Sequence, residues 1–255
     1  MKHDSQSLAH VAEVWRTLGR EDPLWAVYSL PEKRGRRWDL EDFLRTGEED
    51  VARAAECIGR HAGAQGRFGQ VLDFGCGVGR LVRAWSNRAG RVTGVDISET
   101  MLEHARKILA DRPNAEVVHN PREDLSVFAD GSFDLVFSLI CLQHMPWRLA
   151  RGYIIEFGRI CRPGGVVAFQ LPTRAYHGGW AGRLRRRLVD GLPFGLATRY
   201  RQWSHGSSVV FDVFHTPTAE VEAAAAVGGL QLLGREPDTA AGPGVESFFY
   251  VFRKR

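Results

Sequence analysis

No run of about 18 apolar residues interrupts this 255-residue chain, so no helix is expected to span a bilayer. Met1 to His10 is polar and lacks the apolar core of a secretory leader, which points to a cytoplasmic setting. Only four cysteines are present, Cys57, Cys76, Cys141 and Cys161, and no C-x-x-C pair occurs among them. That excludes a disulfide framework and a zinc ribbon, and suits reduced thiols acting as small hydrophobes. The histidines and carboxylates show no H-x-x-x-H pair and no acid cluster with ligand spacing, so no metal site is expected. A formal charge of +4 is mild for this length, so composition alone does not imply a nucleic-acid partner, and none is expected. No internal repeat or low-complexity tract appears, and the sequence carries no signal for an oligomeric state.

What the chain does have is an ordered change of pattern. Residues 1–69 read as a helical cap holding three of the seven tryptophans, Trp15, Trp25 and Trp38. Leu8, Val11, Val14, Trp15 and Leu18 recur at helical spacing. Further helices are expected at Leu40 to Leu44 and at Glu49 to His61, with an irregular Pro- and Gly-containing segment between Asp22 and Asp39. Residues 70–172 alternate strand-like and helix-like segments, the pattern of a parallel sheet covered on both faces. Strands are predicted at 70–74, 91–96, 115–119, 133–139 and 165–171. Residues 173–210 interrupt the alternation as an inserted lid, and residues 211–255 complete the sheet with strands at 230–235 and 247–253 around a helix that ends at Gly228-Gly229. The fold class is α/β, a doubly wound sheet of seven strands.

The chemistry concentrates where the first predicted strand ends. Val71-Leu-Asp73-Phe-Gly75-Cys76-Gly77-Val-Gly79-Arg80 joins a buried strand to a glycine turn that lets main-chain N–H groups approach a ligand. A pyrophosphate cradle of the form G-x-G-x-x-G would place its third glycine at position 80. Arginine stands there, and the third glycine falls early, at Gly79. Asp96 closes the second strand about 20 residues on, where a carboxylate can accept from both hydroxyls of a ribose. Asp73 beside the turn favours a cationic ligand over a pyrophosphate.

These residues resemble the motifs of class I S-adenosylmethionine-dependent methyltransferases. Asp73 to Gly79 is similar to that family's first motif, Gly94-Val-Asp96-Ile-Ser98 to its second, Ser132-Phe-Asp134-Leu-Val136 to its fourth strand, and Arg162-Pro-Gly-Gly165 to the turn before its fifth. The resemblance implies a seven-stranded sheet with a reversed last strand. It implies S-adenosylmethionine as cofactor, with Asp73, Gly75, Cys76, Gly77 and Gly79 around the methionine part, Asp96 and Ile97 at the ribose and Met101 near the adenine. Asn120, Glu123 and Asp124 are alternative partners for the adenine amino group, and Leu139 and Gln143 complete the cofactor wall. His144, on the rim after the fourth strand, is the candidate general base, with Tyr176, His177, Tyr200, His205 and His215 as weaker candidates.

The activity expected is metal-independent methylation of a small-molecule acceptor, most simply at oxygen, with N- or C-methylation and a non-catalytic S-adenosylmethionine-binding protein as alternatives. An NAD-linked oxidoreductase is disfavoured by Arg80. Arginines 174, 183, 185, 186, 187, 199 and 201 hint at an anionic or glycolipid acceptor.

Overall fold

The computed structural model describes residues 6–63, 67–175, 212–242 and 244–255. The lid expected at 173–210 falls outside these residues apart from its first three. Tyr176, His177, Tyr200, His205 and the arginines from 183 to 201 lie outside them as well.

The amino-terminal helix α1 (Leu8–Glu21) is capped by Ser7, whose side chain accepts from the His10 N–H, and it buries Leu8, Val11, Val14 and Leu18 as their spacing predicts. A short helix α2 (Pro23–Val27) follows. The segment to Asp39 is tied down by specific bonds. The Asp22 carboxylate accepts from the Gly35 and Arg36 N–H groups, the Trp25 indole donates to the Leu30 carbonyl, and the Trp38 indole donates to that of Tyr28.

The two helices expected between residues 40 and 61 form one continuous helix, α3 (Leu40–Ala62). Gly47, between the two expected helices, sits in the helix interior against Arg80. A Cβ there would lie 2.6 Å from the Arg80 Cγ.

Strands β1 (Phe68–Phe74), β2 (Ala89–Asp96), β3 (Ala115–His119), β4 (Phe133–Ser138), β5 (Cys161–Ala175), β6 (Leu230–Asp238) and β7 (Val245–Lys254) form one sheet in the order β3-β2-β1-β4-β5-β7-β6. The first five in that order run parallel, and β7 pairs antiparallel with both β5 and β6, as the resemblance implies. β5 starts earlier than expected. Phe133 pairs with Cys161 and Leu135 with Val166, so Pro163 to Gly165 bulge out between two paired stretches, with Gly164 at φ +76°.

Helices α4 (Arg80–Ser86), α5 (Glu99–Ile108), α6 (Trp147–Ile160) and α7 (Thr218–Val227) connect the strands. One sheet face presents Leu72, Phe74, Val136, Val167 and Phe169 to Ile154, Phe157, Val221 and Ala225. The other presents Val71, Val92, Leu135, Phe137 and Ala168 to Ile58, Val82, Trp85 and Leu102. Each such fully buried side chain contributes about 1.5–3 kcal/mol of transfer free energy. A third cluster, with Val14, Leu18, Trp25, Trp38, Phe43, Val78 and Met101, fastens the amino-terminal helices beside the carboxyl ends of the strands. Among the described residues no helix is long and apolar enough to cross a membrane.

Candidate active site

The turn after β1 has the backbone the glycines permit. Gly75, Gly77 and Gly79 have φ of +75°, +52° and +84°, a region that costs other L-residues about 1–2 kcal/mol each. The N–H groups of Gly75 and Cys76 both donate to the Val95 carbonyl, at 2.8 and 3.1 Å, which fixes the turn against the end of β2. The carboxylate of Asp96 is clamped across the same gap. One oxygen accepts from the Gly77 N–H at 2.9 Å and the other from the Ser98 N–H at 2.8 Å. Burial holds the Asp96 carboxyl above its ordinary range, and the N–H donors of Ser98, Gly77 and Ile97 oppose that shift. Ser98 in turn caps α5, accepting from the Met101 N–H.

A cavity opens over this turn. Of the residues the sequence singles out, Gly75, Cys76, Gly77, Asp96, Ile97, Asn120 and Leu139 line it. Asn120 is held by its own side chain, which donates to the Asp124 carbonyl at 2.7 Å.

The other predicted residues stand off the wall. Gly79 turns the chain into α4 against Ala105, and Met101 is buried next to Gly19 of α1. Of the three alternatives after β3, Glu123 is exposed and paired with Arg148, and Asp124 is exposed and bonded to Ser126, which leaves Asn120 at the cavity. Gln143 is buried in a hydrogen-bonded chain, its amide oxygen accepting from Gln170 at 3.2 Å.

His144 is also buried and is not a lining residue. Its Nδ1 lies 3.0 Å from the Asp212 carbonyl, which can only accept, so that nitrogen carries the proton. Its Nε2 then accepts from the Gln143 amide at 3.2 Å, and the ring packs edge-on to Trp15 at 5.3 Å between centroids. Burial pushes the imidazole down to about 4, so it is neutral at pH 7 with both ring nitrogens engaged. His215 is exposed.

Asp73 is the outstanding group. It is 1 % exposed, and neither carboxylate oxygen has a hydrogen-bond partner. Burial raises its carboxyl to about 7, against the pull of the Arg80 guanidinium and with the added repulsion of Asp96. Arg80 itself is committed to Asp50 at 2.5 Å and to Thr46 at 3.0 Å, and it lies 4.8 Å over the Tyr28 ring. A buried acid left unpartnered beside a glycine turn fits a ligand that brings a positive charge.

Further wall residues lie outside the motifs, several of them on the amino-terminal helices expected to cover this cleft. Leu8, Val11 and Trp15 of α1, Ala26 and Val27 of α2, and Ile140, Cys141, Met145 and Tyr153 close the cavity on its apolar side. Ile140 has φ +57°, a strained conformation for a β-branched residue, and its N–H donates to Gln170 at 3.2 Å. The tryptophan and apolar spacing of α1 was visible in the sequence; the Ile140 conformation has no sequence signature.

Residues 71–165 match a family model described as a methyltransferase domain. Over 106 residues the chain is 40 % identical to a malonyl-[acyl-carrier protein] O-methyltransferase of Salmonella typhimurium, covering 40 % of this chain and 39 % of that protein. Over 151 residues it is 30 % identical to a ubiquinone biosynthesis O-methyltransferase of Aromatoleum aromaticum, covering 59 % and 63 %. The chain thus spans less than two thirds of the length of these curated relatives. In fold it is similar to the magnesium protoporphyrin IX methyltransferase of Synechocystis PCC 6803, solved with bound SAH, at a TM-score of 0.66 and 17 % identity over 97 % of this chain and 99 % of that one. Sheet order and glycine turn define a Rossmann-like α/β fold, and residues 71–165 within it match the methyltransferase-domain family. In sequence over residues 71–165 and in fold over nearly its whole length, the chain is similar to S-adenosylmethionine-dependent methyltransferases of class I.

Proposed function

We propose that this chain transfers the methyl group of S-adenosylmethionine to a hydroxyl of a small-molecule acceptor with an apolar body. The observation that carries the reading is the pair of acids at the glycine turn, the half-buried Asp96 clamped by main-chain donors and the buried Asp73 left without a partner. Bound there, S-adenosylmethionine supplies an electrophilic methyl group on a positively charged sulfur.

The chain's own residues do the rest. Asp96 presents a fixed carboxylate to the ribose hydroxyls, Ile97 and Leu139 give apolar walls to the nucleoside, and Asn120 offers the polar contact beyond β3. Asp73 provides the negative charge that the cationic methionine part needs. Leu8, Val11, Trp15 and Met145 form the apolar side against which the acceptor rests, so the mouth excludes water from the path of transfer. Holding the reactants in line is the main source of rate in this reading, since a well-oriented pair can gain about 7–11 kcal/mol from positioning. His144 acts as a positioning residue that ties the turn Leu142–His144 to residues 212–214, where the Phe214 N–H also donates to the Gln143 carbonyl at 2.7 Å. In the transfer the acceptor's hydroxyl proton would pass to solvent as the methyl leaves sulfur for oxygen, a displacement that needs no metal. The one grouping of three metal-binding side chains among the described residues is not part of this cavity's wall.

The O-methyltransferase names of the two relatives support oxygen as the target. An anionic or glycolipid acceptor rests on the arginine-rich stretch, of which only the exposed Arg174 is described. A cytoplasmic setting belongs to the same proposal and rests on four free cysteines. The test is incubation with methyl-labelled S-adenosylmethionine and a panel of phenols, hydroxylated lipids, carboxylic acids, amines and activated carbon acids. Label on a hydroxyl of an apolar acceptor is expected. Label confined to nitrogen or carbon would replace oxygen as the target, and cofactor binding without transfer to any acceptor would leave a binding protein.

A further inference from the structure

We propose that Cys57, His61 and Glu236 form a binding site for a borderline-soft divalent cation of the zinc class. Cys57 and His61 stand four residues apart on α3, so their side chains rise from one face of the helix. Glu236 faces them from β6. The thiol sulfur, an imidazole nitrogen and a carboxylate oxygen lie within 4.8 Å of one another. A tetrahedral zinc ion with a thiolate, an imidazole and a carboxylate holds its ligand atoms about 3.3–3.6 Å apart, so small side-chain rotations close this set on an ion. Sulfur, nitrogen and oxygen donors together select against magnesium and calcium, which take oxygen alone.

Two features of the surroundings support a built site. The first is Arg60, whose Nε and Nη2 grip the two oxygens of Glu236 at 3.1 and 2.7 Å. That contact fixes the carboxylate's orientation while Oε1, shared with Arg60, stays 2.9 Å from the His61 Nε2, as an outer partner can fix a metal ligand. The second is the opening for the imidazole. The pairing of β6 with β7 shifts register between Leu232 and Gly234, and any Cβ at position 234 would collide with the His61 ring. A bulge and a glycine together make room for this one side chain.

Cys57 and Glu236 also line a separate groove, so solvent can reach the cluster and supply a fourth ligand. Binding replaces the thiol proton with the metal and releases that proton to solvent, and thiolate, carboxylate and divalent cation then sum to no net charge. Cys57 and His61 alone carry no recognisable metal-binding spacing, since the third ligand comes from a strand 175 residues away.

The test is a cobalt(II) titration of the chelator-treated full chain, read by absorbance. One cobalt per chain is expected, with a near-ultraviolet thiolate-to-metal band and visible bands of four-coordinate intensity, both bleached by added zinc. Cys57→Ser should abolish the thiolate band, and His61→Ala and Glu236→Gln should each weaken binding by about 10–100-fold. His10→Ala, an exposed histidine outside the cluster, should leave the titration unchanged. Circular dichroism checks that the variants fold, and if Cys57→Ser does not, the presence or absence of the thiolate band in the unaltered chain decides. Absence of that band, an unchanged titration in folded Cys57→Ser, or no cobalt bound at about 0.1 mM would overturn the site and leave a thiol-imidazole-carboxylate hydrogen-bond network only. None of these readouts depends on methyl transfer.

Discussion

Replacing Asp73 by asparagine should make the ligand-free protein more stable at pH 8 and a poorer binder of its cofactor. Burial raises the Asp73 carboxyl from 3.8 to about 7, which at about 1.36 kcal/mol per pH unit corresponds to roughly 4 kcal/mol against the ionised form. The sign follows from proton linkage. Because the folded state binds this proton more tightly than the unfolded chain, the group's contribution to stability is full below about pH 4, declines as pH rises and is lost above about pH 7. Asparagine removes the charge but leaves a buried amide without partners, at a cost of about 1–3 kcal/mol. The net expectation is a gain of about 1–3 kcal/mol at pH 8 and no gain, or a slight loss, at pH 4. Urea unfolding of both proteins by circular dichroism at the two pH values measures it. The cofactor's positive charge should draw Asp73 into its ionised form, so binding at pH 6 should release about one proton, read by calorimetry in buffers of different ionisation enthalpy. A variant that is destabilised equally at both pH values, or that binds S-adenosylmethionine as tightly as the parent without losing proton release, would refute the orphaned-acid argument.

Other outcomes follow from the same geometry. Asp50→Ala strands the Arg80 guanidinium, 2 % exposed, without its carboxylate; a loss of about 3–5 kcal/mol is expected in denaturant unfolding, and a loss under about 1 would show the pair to be dispensable. Gly77→Ala places a Cβ 2.7 Å from Val27 at φ +52°, so the protein should fold with about 1–2 kcal/mol less stability and bind S-adenosylmethionine at least tenfold more weakly; unchanged affinity would take the turn out of the cofactor site. His144→Asn should lower kcat by less than about tenfold with cofactor affinity intact, whereas a loss of about 100-fold or more would restore the general-base role. Trp15→Ala should raise the acceptor KM by about tenfold with a smaller change in kcat, since it removes apolar wall and no reacting group; an unchanged KM would move the acceptor elsewhere.

The sheet was legible because its strands carry local signals. Val71, Leu72 and Phe74 before a glycine turn, and the alternation that follows, specify buried parallel strands without reference to distant residues, and Ser98 announces the start of α5. The boundary errors came from tertiary effects. The helix runs through Gly47, where Arg80, 33 positions on, packs in the place a side chain would take. The site was legible in the same measure. Gly75, Gly77 and Asp96 sit on segments with fixed spacing, and they meet at the cavity. Which of Asn120, Glu123 and Asp124 faces it was settled by long-range pairing, because Arg148 of α6 draws Glu123 outward. His144 looked well placed by sequence position, but its engagement with Gln143 and the Asp212 carbonyl depends on a contact 68 residues away. The apolar side of the cavity comes from α1, whose amphipathic pattern marks a buried face without saying what that face covers.

The central claim is that the glycine turn, Asp73 and Asp96 bind S-adenosylmethionine, and isothermal calorimetry of the purified chain with that compound tests it most directly. The account predicts one molecule bound per chain, with affinity reduced at least tenfold in Asp96→Ala. No binding at about 1 mM cofactor, or equal binding by the parent and Asp96→Ala, would contradict it.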